Sequence, residues 1–193
     1  MEKNQNAGIL MPQKTIGPYQ VLSTKTVYRN PWITVREDQV IHPGGNQGIF
    51  GVIEMKAGST VLALNSKSEV FLIKEFKYGI ARESIELMSG GLDSAESAID
   101  GAKRELKEEL GLEADKWINL GVVDPFTTIV RSPNYMFLAI GIKEGQQNLE
   151  ELEKLEIIKI PFTQAIDMVM RSEITHSASC TCILKAARYL KIA

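Results

Sequence analysis

Cysteine is scarce in this chain. There are two in 193 residues, Cys180 and Cys182, joined in one Cys-Thr-Cys unit. Two thiols so close together cannot staple a fold, which excludes a disulfide framework. Histidine is equally rare, at two residues, His42 and His176, so a His/Cys metal-ligand pattern is absent. Both histidines read as structural, and both cysteines as small apolar residues on a C-terminal helix. Charge bias is missing too: 22 Lys and Arg face 24 Asp and Glu, a net charge of −2. Neither a nucleic-acid grip nor attraction to a membrane surface follows from that balance. No apolar run approaches the length that spans a bilayer. The opening segment MEKNQNAGILMPQK has no apolar core of the secretory kind. The expected setting is therefore a reducing cytoplasm. Internal repeats and low-complexity segments are also lacking.

Against these absences one stretch stands out, Gly90 to Leu112, GGLDSAESAIDGAKRELKEELGL. Gly90 and Gly91 suit a tight loop. Asp93 or Ser94 suits the start of a helix, with Glu96 and Ser97 in its first turn. Gly111 suits its left-handed end. With Arg104 as origin, Glu108 falls near roughly 40°, Glu105 near 100° and Glu109 near 140° around the helix. Ala102, Leu106, Ile99 and Leu110 fall at roughly 160° to 240°, an apolar stripe that docks on a sheet. Three carboxylates and one guanidinium thus share a face. Glu105 and Glu109 are like charges at i,i+4, which disfavours a bare helix. A divalent cation with oxygen ligands offsets such crowding, and magnesium prefers that donor set.

The rest of the chain reads as many strands, then helices. YQVLSTKTVYR, WITVREDQVI and GIFGVIEM alternate in the β manner, with a turn at His42-Pro-Gly-Gly-Asn. STVLALN and EVFLIKEF form a hairpin, and SIELM is a short strand entering the central stretch. WINLGVVDP and NYMFLAIGI flank a long loop from Asp124 to Asn134, and LEIIKIP is a late strand. Helices are expected over Phe162–Arg171 and Ser179–Ile192. The fold class is α+β, with a mixed sheet covered on both faces. The expected organisation is a loose segment 1–15, N-terminal β-strands 16–56 forming a platform for dimerisation and substrate, and a main domain 57–193.

The spacing of the central stretch resembles the Nudix box. That box is a glycine, five residues, Glu, seven residues, then Arg-Glu-apolar-any-Glu-Glu-any-Gly-apolar. Gly90, Glu96, Arg104, Glu105, Leu106, Glu108, Glu109, Gly111 and Leu112 occupy all nine fixed positions without a gap. The resemblance implies an α/β/α sandwich preceded by a small N-terminal antiparallel sheet. It also implies a hydrolase that cleaves a diphosphate linkage with magnesium or manganese. By position in the box, Glu105 and Glu109 hold metal, Glu108 is a further shared ligand, and the backbone carbonyl of Ser89 completes the cage. Arg104 holds a box glutamate in place, and Glu96 steadies the box loop.

WITVREDQVIHPGG, FLIKEFKYG and SIELMSGG together resemble the ADP-ribose pyrophosphatase group of that superfamily. The group often has Gln-Tyr-Arg where this chain has Glu75-Phe76-Lys77, and Glu-Leu-Pro-Ala-Gly where it has Glu86-Leu87-Met88-Ser89-Gly90. Lys77 keeps a charge but loses the guanidinium fork. The resemblance implies a nucleoside diphosphate sugar as substrate, ADP-ribose first, giving AMP and ribose 5-phosphate. GDP-mannose or another nucleotide sugar, oxidised-nucleotide clean-up, or a non-catalytic sensor are the alternatives. The group's general base lies before a late strand, which makes Glu153 the first candidate, then Glu151, then Glu156. Substrate contacts are expected from Lys77 and Glu86. Arg82 either touches phosphate or lines the surface. Trp32 is either a stacking platform for a base across a homodimer or a partly buried core residue.

Overall fold

The computed structural model describes residues 12–145 and 155–192. Glu151 and Glu153 lie outside the described residues. The chain divides into two compact units. One takes the described residues up to Met55 together with Phe126–Arg131; the other takes Lys56–Pro125 and the described residues from Ser132 onward.

The first unit is a sheet of β1 (Lys14–Ile16), β2 (Tyr19–Arg29), β3 (Ile33–Ile41), β4 (Gln47–Met55) and, from far along the chain, β10 (Val130–Arg131), in that spatial order. The first four are antiparallel neighbours, whereas β10 runs parallel to β4, pairing Val130 with Ile53. Two expectations change here. Lys14 and Thr15 are not loose: Ile16 pairs with Tyr19 across the two-residue turn Gly17-Pro18. The segment after Asp124 is not loop throughout, because Val130 and Arg131 complete an edge that β4 leaves open. Val21, Leu22 and Val40 are buried. Tyr19, His42 and Phe50 pack ring against ring, with centroids 5.2 to 5.7 Å apart.

The second unit is built on a mixed sheet. Its path is β12 (Glu156–Pro161), β6 (Glu69–Lys77), β5 (Gly58–Leu64), β11 (Asn134–Glu144) and β9 (Leu112–Val123). Two short strands join it off that path: β7 (Arg82–Glu86) on β6 and β8 (Met88–Gly91) on β5. Strands β5 and β11 are parallel; the other pairs are antiparallel. Successive side chains on a strand point to opposite faces. Hence Val61, Ala63, Phe71 and Ile73 join one core cluster, while Leu62, Leu64, Val70 and Leu72 join another. That is why VLAL and VFLI read as continuous apolar runs: both faces are covered.

Helix α1 (Ala98–Leu110) covers the first face with Ala102, Leu106 and Leu110, one stripe at i,i+4 spacing. Helices α2 (Phe162–Met170) and α3 (Ser177–Leu190) cover the other with Phe162, Ala165, Cys182 and Ile183. The expected α/β/α layering therefore holds. Cys182 is wholly buried, and burial pushes its thiol pKa up to about 12, so it acts as a small apolar residue. Among the described residues, no helix is long and apolar enough to cross a membrane.

The start of α1 falls later than the sequence suggests. Ser97 is the N-cap, its hydroxyl accepting from the Asp100 N–H at 3.2 Å. Asp93 and Glu96 instead close a separate turn, in which the Asp93 N–H donates to Glu96 Oε2 at 3.0 Å. Ala95, at φ 72°, cannot continue a right-handed helix. Gly111 ends the helix with φ 64°, its N–H returning to Leu106 and Lys107 carbonyls.

Candidate active site

The elements of the second unit converge on the exit of β7 and β8 beside α1. Gly90 and Gly91 are not a free loop: they pair with Ser59 and Gly58 of β5. The closeness of α1 nevertheless depends on Gly90. A Cβ there would overlap the Glu105 side-chain carbons, so only a residue without one lets that carboxylate lie against the strand.

Arg104 organises the carboxylates of α1 and of the turn before it. Its Nε and Nη2 donate to the two oxygens of Glu96, each at 3.0 Å, a bidentate fork. Its Nη1 donates to Glu105 Oε1 and to Glu108 Oε2, again at 3.0 Å, and Nη2 reaches the Gly91 carbonyl at 3.2 Å. The side chains of Glu96 and Glu105 are only 16% and 14% exposed, whereas that of Glu108 is 45% exposed. These bonds raise the Arg104 pKa; that of Glu96 is held low, by Arg104 first and the Asp93 N–H second.

A cleft of about 150 Å³ lies alongside, lined by Glu75, Lys77, Ser84, Glu86, Ser89, Glu109 and neighbouring apolar residues. Lys77 is the cation inside it. Burial opposes its charge, but the bond to Glu75 and the proximity of Glu86 and Glu109 outweigh that, so its pKa is raised. The Ser89 hydroxyl is tied to Thr60 Oγ1 at 2.7 Å.

The expected site residues thus fall into groups. Lys77, Glu86, Ser89 and Glu109 share the cleft. Arg104, Glu105, Glu108 and Glu96 share the ion-pair cluster. Arg82 does not line the cleft; its Nη2 donates to Thr175 Oγ1 at 2.8 Å. Glu156 opens β12, with its carboxylate 69% exposed and 4.0 Å from Lys74. Trp32 belongs to the first unit, where its backbone N–H donates to Asn30 Oδ1 at 2.9 Å; at 74% exposed it is not a core residue. Glu75 went unremarked as a site residue, although it stands two places from Lys77 on one strand, hence on the same face.

The box implies a divalent ion, and the donors suit one. Glu105, Glu108, Glu109 and the Ser89 carbonyl would all offer hard oxygen donors, the kind magnesium and manganese prefer. The carboxylates already hold cations of the chain's own, Arg104 in the cluster and Lys77 in the cleft. Among the described residues, no three His, Cys, Asp or Glu side chains stand close enough to form a finished metal site.

The NUDIX domain model matches residues 55–175. The chain belongs to the Nudix family, and it is a Nudix hydrolase. A second model, the nucleoside diphosphate sugar hydrolase N-terminal domain, matches residues 19–53. Over 169 residues the chain is 27% identical to the ADP-ribose pyrophosphatase of Mycobacterium tuberculosis, covering 86% of this chain and 82% of that one. It is 25% identical over 172 residues to the ADP-ribose pyrophosphatase of Bacillus subtilis, covering 85% and 86%. A crystal structure of an ADP compounds hydrolase superposes with TM-score 0.79 at 20% identity, covering 92% of this chain and 97% of that one, which shows the shared fold.

Proposed function

We propose that this Nudix hydrolase cleaves the diphosphate linkage of a nucleoside diphosphate sugar, ADP-ribose first, yielding AMP and ribose 5-phosphate. The observation that carries the proposal is the pairing of a carboxylate cluster around Arg104 with a cleft that holds Glu109, Glu86, Ser89 and one cation, Lys77. The relatives from Mycobacterium tuberculosis and Bacillus subtilis support it by the substrate in their names.

A diphosphate brings dense negative charge, and more develops on the attacking and leaving oxygens. Glu105, Glu108, Glu109 and the Ser89 carbonyl would hold magnesium or manganese, which when bound neutralises phosphate charge and acidifies water. Lys77 offers its ammonium to a phosphate oxygen, exchanging Glu75 for the ligand. Arg104 keeps the carboxylates of Glu105 and Glu108 in fixed orientation, so little reorganisation is left to the reaction itself. Glu86 limits where the sugar diphosphate settles. Glu153 is the proposed general base, with Glu151 and Glu156 behind it.

Trp32 is proposed as a stacking platform for the base. Its exposure fits that role and a homodimer formed through the first strands. The proposed compartment is the cytoplasm, in keeping with two unpaired thiols. A panel of nucleotide sugars with Mg²⁺, including ADP-ribose and GDP-mannose, tests the reaction through phosphate released after added phosphatase. Turnover of ADP-ribose above the rest supports the proposal. Preference for GDP-mannose moves the substrate but keeps the chemistry, and turnover of none refutes it.

A further inference from the structure

The exit of β7 is held from the opposite layer of the sandwich. Glu86 ends β7 on β6, and Met88 begins β8 on β5. Leu87, between them, belongs to neither strand, and its N–H needs a partner from elsewhere. Ser179 of α3 supplies it: the buried Ser179 Oγ accepts from the Leu87 N–H at 2.9 Å. The same hydroxyl lies 2.9 Å from His176 Nδ1, and that nitrogen lies 3.5 Å from Glu86 Oε2. One residue earlier, Thr175 Oγ1 accepts from Arg82 at the start of β7. Three side chains at the N-terminus of α3 therefore touch the start, the end and the exit of one short strand.

His176 is an odd choice for its position. It is the N-cap of α3, where Ser, Thr, Asp or Asn would bond the helix's free N–H groups. Its ring makes no such bond. The imidazole turns to Ser179 and Glu86 instead. Burial, ahead of the opposing pull of Glu86, lowers its pKa, which keeps the ring neutral at neutral pH. Glu86 is only 14% exposed, and it lines the cleft.

We infer that His176 is a positioning residue: with Ser179 and Thr175 it fixes the exit of β7 so that the Glu86 carboxylate keeps one orientation in the cleft. The inference rests on the proposed hydrolysis of a nucleoside diphosphate sugar there. The contact of 3.5 Å is long for a hydrogen bond and the ring is neutral, so the effect on Glu86 is steric: the imidazole, held by Ser179, limits the orientations open to the carboxylate.

The test uses the full chain, Mg²⁺, and whichever nucleotide sugar of the panel it turns over best. His176→Asn gives α3 a side chain that caps well, so this variant folds; His176→Ala and Glu86→Gln accompany it. KM is expected to rise about tenfold in His176→Asn and His176→Ala, with kcat within about twofold, as lost uniform binding requires. The melting temperature of His176→Asn stays at or above that of wild type. In the Glu86→Gln background, adding His176→Asn changes KM no further, because the effect passes through Glu86. An active wild type whose His176→Asn variant keeps its KM overturns the inference alone, as does a further rise in KM in the double variant. A wild type that turns over no nucleotide sugar overturns the proposed reaction and this inference with it.

Discussion

Replacing Arg104 by Met removes a cation that three glutamates share. The guanidinium makes four 3.0 Å bonds to Glu96, Glu105 and Glu108. Breaking a fully buried pair costs about 3–5 kcal/mol and an exposed one under about 1. Arg104 is 30% exposed, and its partners run from 14% to 45%. Solvent screening therefore brings the expected loss to about 2–3 kcal/mol, or about 4–12 °C in melting temperature for a chain of this size. Arg104→Lys keeps the charge but not the fork, and should lose about half as much. The assay is thermal unfolding in EDTA, repeated across a Mg²⁺ titration. The proposed divalent ion at Glu105 and Glu108 would replace part of the lost charge, so added Mg²⁺ should narrow the gap between Arg104→Met and wild type. A variant within about 0.5 kcal/mol of wild type would refute the organising role of Arg104. A gap that Mg²⁺ leaves unchanged would refute the link between the ion pairs and metal.

Gly90→Ala drives the Glu105 carboxylate off the strand at a stability cost of about 1–3 kcal/mol; it should lose most Mg²⁺ affinity by calorimetry while staying folded, and unchanged affinity would deny Glu105 a metal role. Lys77→Gln removes the cation among Glu75, Glu86 and Glu109; Mn²⁺ should bind it more tightly without substrate, KM should rise, and weaker Mn²⁺ binding would count against the assignment. Glu96 has a depressed pKa, so its contribution is present above the ordinary carboxylate value of 4.5 and is lost as pH falls through the lower folded value. Melting temperature should therefore drop on acidification below about pH 4.5 and drop less steeply in Glu96→Gln, and equal slopes would contradict the pairing.

The sandwich was legible because its signals are local. VLAL and VFLI are short runs buried on both faces, and the stripe Ala102, Leu106, Leu110 has helical period. The cap of α1 is placed too early by the sequence, since Asp93-Ser-Ala-Glu96 resembles a helix start. The left-handed Ala95 breaks that turn and moves the cap to Ser97. Strand β10 left no trace in the text, because two residues have no period and their partner lies far back along the chain. The same holds for the site. The box glutamates keep a fixed spacing on one helix and could be read directly. The bonds from Thr175 and Ser179 to Arg82 and Leu87 span 93 and 92 positions, and a single sequence gives such pairs no signature.

Glu109 sits at the junction of the two groups, on α1 and in the cleft. The most direct measurement is the steady-state rate of ADP-ribose hydrolysis by Glu109→Gln at saturating Mg²⁺, beside its melting temperature. Loss of one ligand's charge should lower kcat by about a hundredfold or more while the protein stays folded. A folded variant that hydrolyses ADP-ribose at close to the wild-type rate would contradict the claim that these carboxylates gather a metal ion against a diphosphate.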